Sequence, residues 1–156
     1  MADVVTAAVR SRMMAGIRGK NTRPEMVLRS SLHRRGFRYQ LHRRDLPGKP
    51  DLTFPRYGAV LFAQGCFWHG HDCHLFRWPS SRAEFWRDKI SHNKDRDEAT
   101  VRELLSRNWR VAQVWECALK GRTRLDHETV IDRCVGWLTS SIDKLEISGC
   151  EKRPPV

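Results

Sequence analysis

Ala59-Val60-Leu61-Phe62-Ala63-Gln64-Gly65-Cys66-Phe67-Trp68-His69-Gly70-His71-Asp72-Cys73-His74 is the stretch from which the fold is read. It begins with a continuous apolar run, Ala59 to Ala63, of the kind that forms a central β-strand. It ends with two cysteines and three histidines crowded into residues 66–74. Thiolate and imidazole are the ligands that hold Zn²⁺. A Phe-Trp pair inside a loop this rich in Gly and His is poorly placed for a core. The stretch therefore predicts a strand that runs into a metal knot, with two aromatic rings held outward from it.

Upstream, Thr22-Arg23-Pro24-Glu25 predicts a helix start with Thr22 as cap. Met26, Leu28 and Leu32 lie on this helix, and Gly36 ends it. Phe37 to Leu41 alternates as a half-buried strand would. Leu46-Pro47-Gly48-Lys49-Pro50 is turn chemistry, and Asp51 to Phe54 is a short strand. Pro55 and Gly58 turn the chain into the apolar run. Residues 1–20 have little apolar periodicity and read as a mobile basic arm or a docked helix. We set them apart from the rest of the chain as an N-terminal arm.

Downstream, Ser81 and Glu84 suggest a capping box opening a helix over residues 82–106. Phe85, Trp86, Ile90, Val101, Leu104 and Leu105 are its apolar members. Asn93 and Asp97 continue the Trp86/Ile90 face at steps of three and four residues, which puts polar groups on an inward face. Trp109 to Glu116 predicts another strand, followed at once by Cys117. A last helix is expected near residues 127–141. Residues 143–156 read as a disordered tail. These elements give one α/β domain, residues 21–142, with a small mixed sheet flanked by helices.

The net charge is +11, from 29 Lys+Arg against 18 Asp+Glu, and the pI is about 10.1. That balance predicts attraction to a polyanion. No apolar run is long enough to span a membrane, and residues 1–20 lack the apolar core of a signal peptide. Five cysteines, two of them clustered with histidines, favour metal-bound thiolates in a reducing compartment over a disulfide framework.

A closed structural zinc site needs four ligands. Cys66, His71 and Cys73 converge from one loop, with His69 and His74 competing for the imidazole role. Cys117 is the best fourth ligand, because parallel neighbouring strands would bring both C-terminal ends to one sheet edge. Cys134 and Cys150 are less well placed. Pro50-Asp51 at a strand start resembles the metal-binding Asp of restriction-endonuclease-type nucleases. Their usual Glu-x-Lys is absent from the next strand, so His69 would replace the Lys in proton transfer. Phe67, Trp68 and Trp86, near Arg77, Arg82 and Arg87, suit stacking on bases or wedging between them.

Taken in order, these features resemble the very-short-patch repair (Vsr) endonucleases of bacteria. The resemblance spans roughly residues 10–122. It rests on Arg10 to Met14, Pro24-Glu25, Leu46 to Asp51, Gly65 to His69, His71, Cys73, Phe85-Trp86, Lys89-Ile90, Asn93, Arg96-Asp97 and Trp109 to Cys117. It implies a restriction-endonuclease-like fold with a structural zinc, and Mg²⁺-dependent nicking of one strand beside the T of a T:G mismatch left by deaminated 5-methylcytosine. The implied catalytic residues are Asp51, His69 and its acidic partner Asp97, with Glu25 close by. The implied zinc ligands are Cys66, His71, Cys73 and Cys117. Asp51 and the Ala63 backbone carbonyl would hold Mg²⁺. Phe67, Trp68 and Trp86 would wedge into the stack, with Met14 entering from the opposite groove. The implied partners are double-stranded mismatched DNA, mismatch-repair proteins and a downstream DNA polymerase, for a monomer in the bacterial cytoplasm at the nucleoid. The chain departs from the pattern at Gln64, where many members have His, and at Ala63, where Thr is common. The rival readings are a non-catalytic zinc-stabilised DNA-binding module and a hydrolase with an open three-ligand zinc.

Overall fold

The computed structural model describes residues 21–149. The arm at residues 1–20, Met14 with it, and residues 150–156 lie outside the described residues. The described chain runs α1 (Arg23–Arg34), β1 (Gln40–Leu41), β2 (Leu52–Phe54), β3 (Ala59–Gln64), α2 (Ala83–Ser106), β4 (Arg110–Trp115), α3 (His127–Leu138) and β5 (Lys144–Ile147). The five strands of this region form one sheet in sequence order. The pairs β1–β2 and β2–β3 are antiparallel, while β3–β4 and β4–β5 are parallel.

Alternation along the central strands sorts the core into two faces. Leu61 and Ala59 of β3, with Ala112 and Val114 of β4, pack against Leu28 and Leu32 of α1 and Ile131, Cys134 and Leu138 of α3. Val60 and Val111 point the other way, onto Val101 and Leu104 of α2. The sheet is thus sandwiched between helices, and α2 is the crossover that parallel pairing of β3 and β4 requires. Arg110 ties the base of this sandwich together. Its guanidinium donates to the carbonyls of Trp137 and Leu138 at the end of α3 and of Tyr57 ahead of β3, each at 2.9 Å.

Several sequence expectations change in the structure. Residues 144–147 are not tail: they form β5, paired along β4. Its residues, Lys144-Leu145-Glu146-Ile147, alternate charge with apolar side chains, and the short run is easily read as a polar end. Of Phe37 to Leu41 only Gln40–Leu41 is strand. Gly36 adopts φ +92° and the Phe37 amide bonds back to the Leu32 carbonyl at 3.0 Å, so the first residues of that stretch close the helix. Of the three apolar residues placed on α1, Leu28 and Leu32 are buried and Met26 is exposed. The capping box at Ser81 and Glu84 does not form: Arg82 caps α2 in the left-handed region with no side-chain bond to the helix. At α1, Thr22 does accept from the Glu25 amide. The Glu25 carboxylate accepts from the amide of Asn21, one residue before its expected partner.

Candidate active site and metal centre

Parallel pairing sets the metal centre. Gln64 of β3 is in register with Trp115 of β4, so Cys66 and Cys117 each follow two residues beyond that matched pair. The loop after β3 folds back, with the His71 amide bonding to the Cys66 carbonyl at 2.9 Å. Side-chain donor atoms of Cys66, His71, Cys73 and Cys117 all lie within 4.8 Å of one another. His71 Nδ1 is 3.6 Å from both Cys66 Sγ and Cys117 Sγ. A tetrahedral zinc with Zn–S near 2.3 Å and Zn–N near 2.05 Å would separate S from N by about 3.6 Å. Donor set and spacing therefore fit a four-ligand site.

Burial pushes the Cys66 and Cys117 thiols up and the His71 imidazole down. A bound cation would displace the thiol protons and take the imidazole in its neutral form. The ring of His71 stacks on Trp115 at 4.1 Å, and Trp115 Nε1 donates to Glu146 of β5 at 2.9 Å. The Gly149 amide, just past β5, donates to Cys117 Sγ at 3.2 Å. The last strand is therefore tied to this centre. Of the competing histidines, His74 turns to Thr123 and His69 pairs with Asp97. Cys134 is buried in the core on α3, away from the cluster.

His69 Nδ1 is paired with Asp97 Oδ2 across from α2, and Asn93 Nδ2 donates to the Trp68 carbonyl at 2.8 Å. The polar inward face of α2 thus grips the loop at two successive residues. Gly70 makes that approach possible. It has φ +61°, and a Cβ there would sit 2.5 Å from Ile90 Cγ2. Gly48 plays the same part on the facing loop: at φ +72°, a Cβ would lie 2.4 Å from Thr100 Cγ2.

Between these loops is a cleft of about 240 Å³ lined by Asp51, Ala63, Gln64, His69 and Asp97, with Lys49 and Arg96 among its walls. Asp51 is 9% exposed, and its Oδ2 accepts from the Ala63 amide at 2.7 Å. Burial pushes its carboxyl up to about 7, helped by Glu25 and opposed by the Ala63 N–H. Glu25 is buried behind it and accepts from Arg29 at 2.9 Å and meets His42 Nε2 at 3.0 Å. Donor atoms of Glu25, His42 and Asp51 lie within 4.8 Å of one another. Two buried carboxylates that close leave negative charge for a hard cation to neutralise. His42 was not singled out from the sequence, and Lys49 and Arg96 entered only within the stretches that carry the resemblance, with no role given. His42 sits in a basic run, His42-Arg43-Arg44, where nothing local marks it as Glu25's partner.

The rings form one cluster beside this loop. Phe67, Trp68 and Trp86 have mutual centroid distances of 5.1, 5.3 and 5.9 Å. All three are half-buried, and the neighbouring Trp78 and Phe85 are exposed. The Arg82 guanidinium lies 4.2 Å above the Phe85 ring. The loop that carries Phe67 and Trp68 also carries His69, which lines the cleft.

A mixed sheet between helices, with a buried Asp just ahead of a strand and a carboxylate-paired His lining one cleft, is an arrangement suited to a nuclease. Residues 2–75 match the family model described as DNA mismatch endonuclease Vsr. The chain is 48% identical over 119 residues to the type II nicking enzyme V.XorIIP of Xanthomonas oryzae pv. oryzae, covering 76% of this chain and 88% of that one. It is 42% identical over 138 residues to the DNA mismatch endonuclease Vsr of Escherichia coli, covering 88% of each. It is 40% identical over 122 residues to the nicking enzyme V.NmeAIP of Neisseria meningitidis, covering 78% of this chain and 87% of that one. The chain belongs to the Vsr DNA mismatch endonuclease family.

Proposed function

We propose that this protein is a Mg²⁺-dependent endodeoxyribonuclease that nicks one strand beside the T of a T:G mismatch and so starts its repair. The observation that carries this reading is the single cleft that joins Asp51 to the His69–Asp97 pair. Asp51 and the Ala63 backbone carbonyl would hold Mg²⁺, and Glu25 adds negative charge near Asp51. When bound, the ion supplies positive charge opposite the scissile phosphate. His69 Nδ1 is committed to Asp97, which fixes the tautomer and leaves Nε2 to take a proton from the attacking water. Lys49 and Arg96 line the same cleft and suit the flanking phosphates.

The Cys66, His71, Cys73 and Cys117 site is structural zinc in this reading. Four protein ligands leave no open position for a hydrolytic water. Its task is to hold one loop that carries both His69 and the rings. Phe67, Trp68 and Trp86 wedge into the duplex, with Met14 of the arm opposite. Unstacking a base step costs a few kcal/mol, and less at a wobble pair. Residues 1–20 act as the DNA-binding arm of a monomer that works in the bacterial cytoplasm at the nucleoid. Mismatch-repair proteins and a DNA polymerase act around it on the nicked product.

A metal-exchange assay tests this reading against its rivals. Nicking should vanish on mild chelation of Mg²⁺ and return on its addition, while zinc content stays near one per chain. No nicking with any divalent ion would leave a DNA-binding module. Nicking that tracks zinc alone would move the chemistry to the thiolate site.

A further inference from the structure

Two buried acids, Glu25 and Asp51, stand together, and one residue touches both. Leu41 of β1 pairs with Leu52 of β2, so His42 falls opposite Asp51, one step beyond the ladder. The His42 amide donates to the Asp51 carbonyl at 3.2 Å. The backbone of His42 is left-handed, at φ +47°, a conformation that a residue with a Cβ keeps when its surroundings hold it there. The ring supplies that hold. Its Nε2 lies 3.0 Å from Glu25 Oε1 and 3.1 Å from Glu25 Oε2. Glu25 has two further side-chain partners, the Asn21 amide and the Arg29 guanidinium, each donating at 2.9 Å. Both belong to α1 or to the residues just before it, so they hold the carboxylate to its own helix whatever Asp51 does. His42 is the donor that comes from the segment leading into Asp51.

The chemistry asks for such a link. Glu25 is 1% exposed and Asp51 9%, and their oxygens lie with a ring nitrogen of His42 inside 4.8 Å. Two carboxylates that close repel each other once ionised, and a cation binds tightly only where they are already held together. Groups that orient metal-binding carboxylates therefore govern affinity almost as the ligands do. We propose that His42 is a positioning residue of the Mg²⁺ site: its ring holds Glu25 and its amide holds the Asp51 backbone, so that α1 and the start of β2 present their two acids as one preformed unit. The inference rests on the proposed function for what the ion does in nicking. The geometry also separates ring from backbone. A Gln amide nitrogen stands as many bonds from Cβ as His Nε2 does, and can donate to Glu25 in its place. Asn is one bond too short to reach, but it tolerates the left-handed backbone.

The test compares the full chain, zinc retained, with its His42→Gln, His42→Asn and His42→Gly variants. Mn²⁺, which takes oxygen ligands in octahedral sites as Mg²⁺ does, is the probe in the absence of DNA. Its free fraction is read by electron paramagnetic resonance, and Asp51→Asn marks binding elsewhere on the chain. His42→Asn should weaken Mn²⁺ binding by about 10–100-fold. It should raise by the same factor the Mg²⁺ needed for half-maximal nicking of a T:G duplex, with the rate at saturating Mg²⁺ close to wild type. His42→Gln should restore both. His42→Gly, freest in the left-handed region, should repeat the Asn loss and replaces it if Asn lowers the melting temperature. Unchanged Mn²⁺ affinity and Mg²⁺ requirement in Asn and Gly overturn the proposal, whatever the melting temperature does, and leave His42 a contact of the fold alone. A loss in Gln as deep as in Asn also overturns it, since the imidazole would then be needed for itself, as a ligand. So does a wild-type chain that binds no Mn²⁺ before DNA arrives, because the acids would not be preformed. The two claims fail separately. A chain that nicks with one Mg²⁺ requirement in every variant loses this inference alone. A chain that binds Mn²⁺ in the expected order but never nicks loses the proposed function alone.

Discussion

Replacing Asp51 by Asn should stabilise the metal-free protein above neutral pH while it abolishes nicking. The Asp51 carboxyl is pushed from its ordinary value of 3.8 up to about 7, chiefly by burial. Below 3.8 it is protonated in both the folded and unfolded chain. As pH rises from there, the unfolded chain releases the proton first, so folding loses stability until the folded group ionises near 7. About three pH units at about 1.36 kcal/mol each give roughly 4 kcal/mol, an upper bound because relaxation and water entry soften burial. Asn carries no charge, and its carbonyl oxygen still accepts the Ala63 N–H. Urea unfolding from pH 4 to pH 8, with zinc retained and no Mg²⁺, should show the two proteins converging at acid pH. The variant should be more stable by about 1–4 kcal/mol at pH 8. All other side chains are common to the two proteins, so the difference reports on Asp51. Parallel pH profiles, or a wild type the more stable at pH 8, would refute the reasoning.

Cys73→Ala should lower zinc content and the melting temperature together, before any chemical step changes; a stable variant with full zinc would remove Cys73 from the ligand set. His69→Ala should cut the nicking rate by about 10²–10⁴-fold with DNA affinity retained, and Asp97→Asn should lower it in the same direction; unaltered single-turnover rates would exclude the pair from proton transfer. Trp68→Ala should remove about 1–3 kcal/mol of stacking, falling mainly on a T:G duplex. Matched DNA, held by Lys and Arg on phosphate, should keep its affinity and salt dependence. Equal losses on both duplexes with a lowered melting temperature would make Trp68 a core residue.

The parts of this molecule that were legible beforehand are those whose chemistry is local. The apolar run of β3 and the Cys and His that follow it sit within one stretch, and parallel strands were enough to bring in Cys117. The three- and four-residue steps Trp86, Ile90, Asn93 and Asp97 placed two polar groups on the inward face of α2, where they grip Trp68 and His69. What was not legible depends on tertiary contact. β5 is held by its pairing with β4, by Ile147 in the core, and by the Glu146 link to Trp115 and the Gly149 link to Cys117. The Glu25–His42 contact joins α1 to the segment after β1, a pairing that no spacing encodes. The Ser81 box failed because Arg82 turns left-handed to start α2, placing Phe85 out among the rings.

The central claim is that one loop holds both a wedge and a proton acceptor over a magnesium-binding cleft. Strand-specific nick mapping tests it most directly, on otherwise identical T:G and T:A duplexes with Mg²⁺ present. The account predicts a single nick beside the mismatched T on one strand and none on the matched duplex, lost in both Asp51→Ala and His69→Ala proteins that still bind DNA. Equal cutting of both duplexes, or nicking that survives in Asp51→Ala, would contradict it.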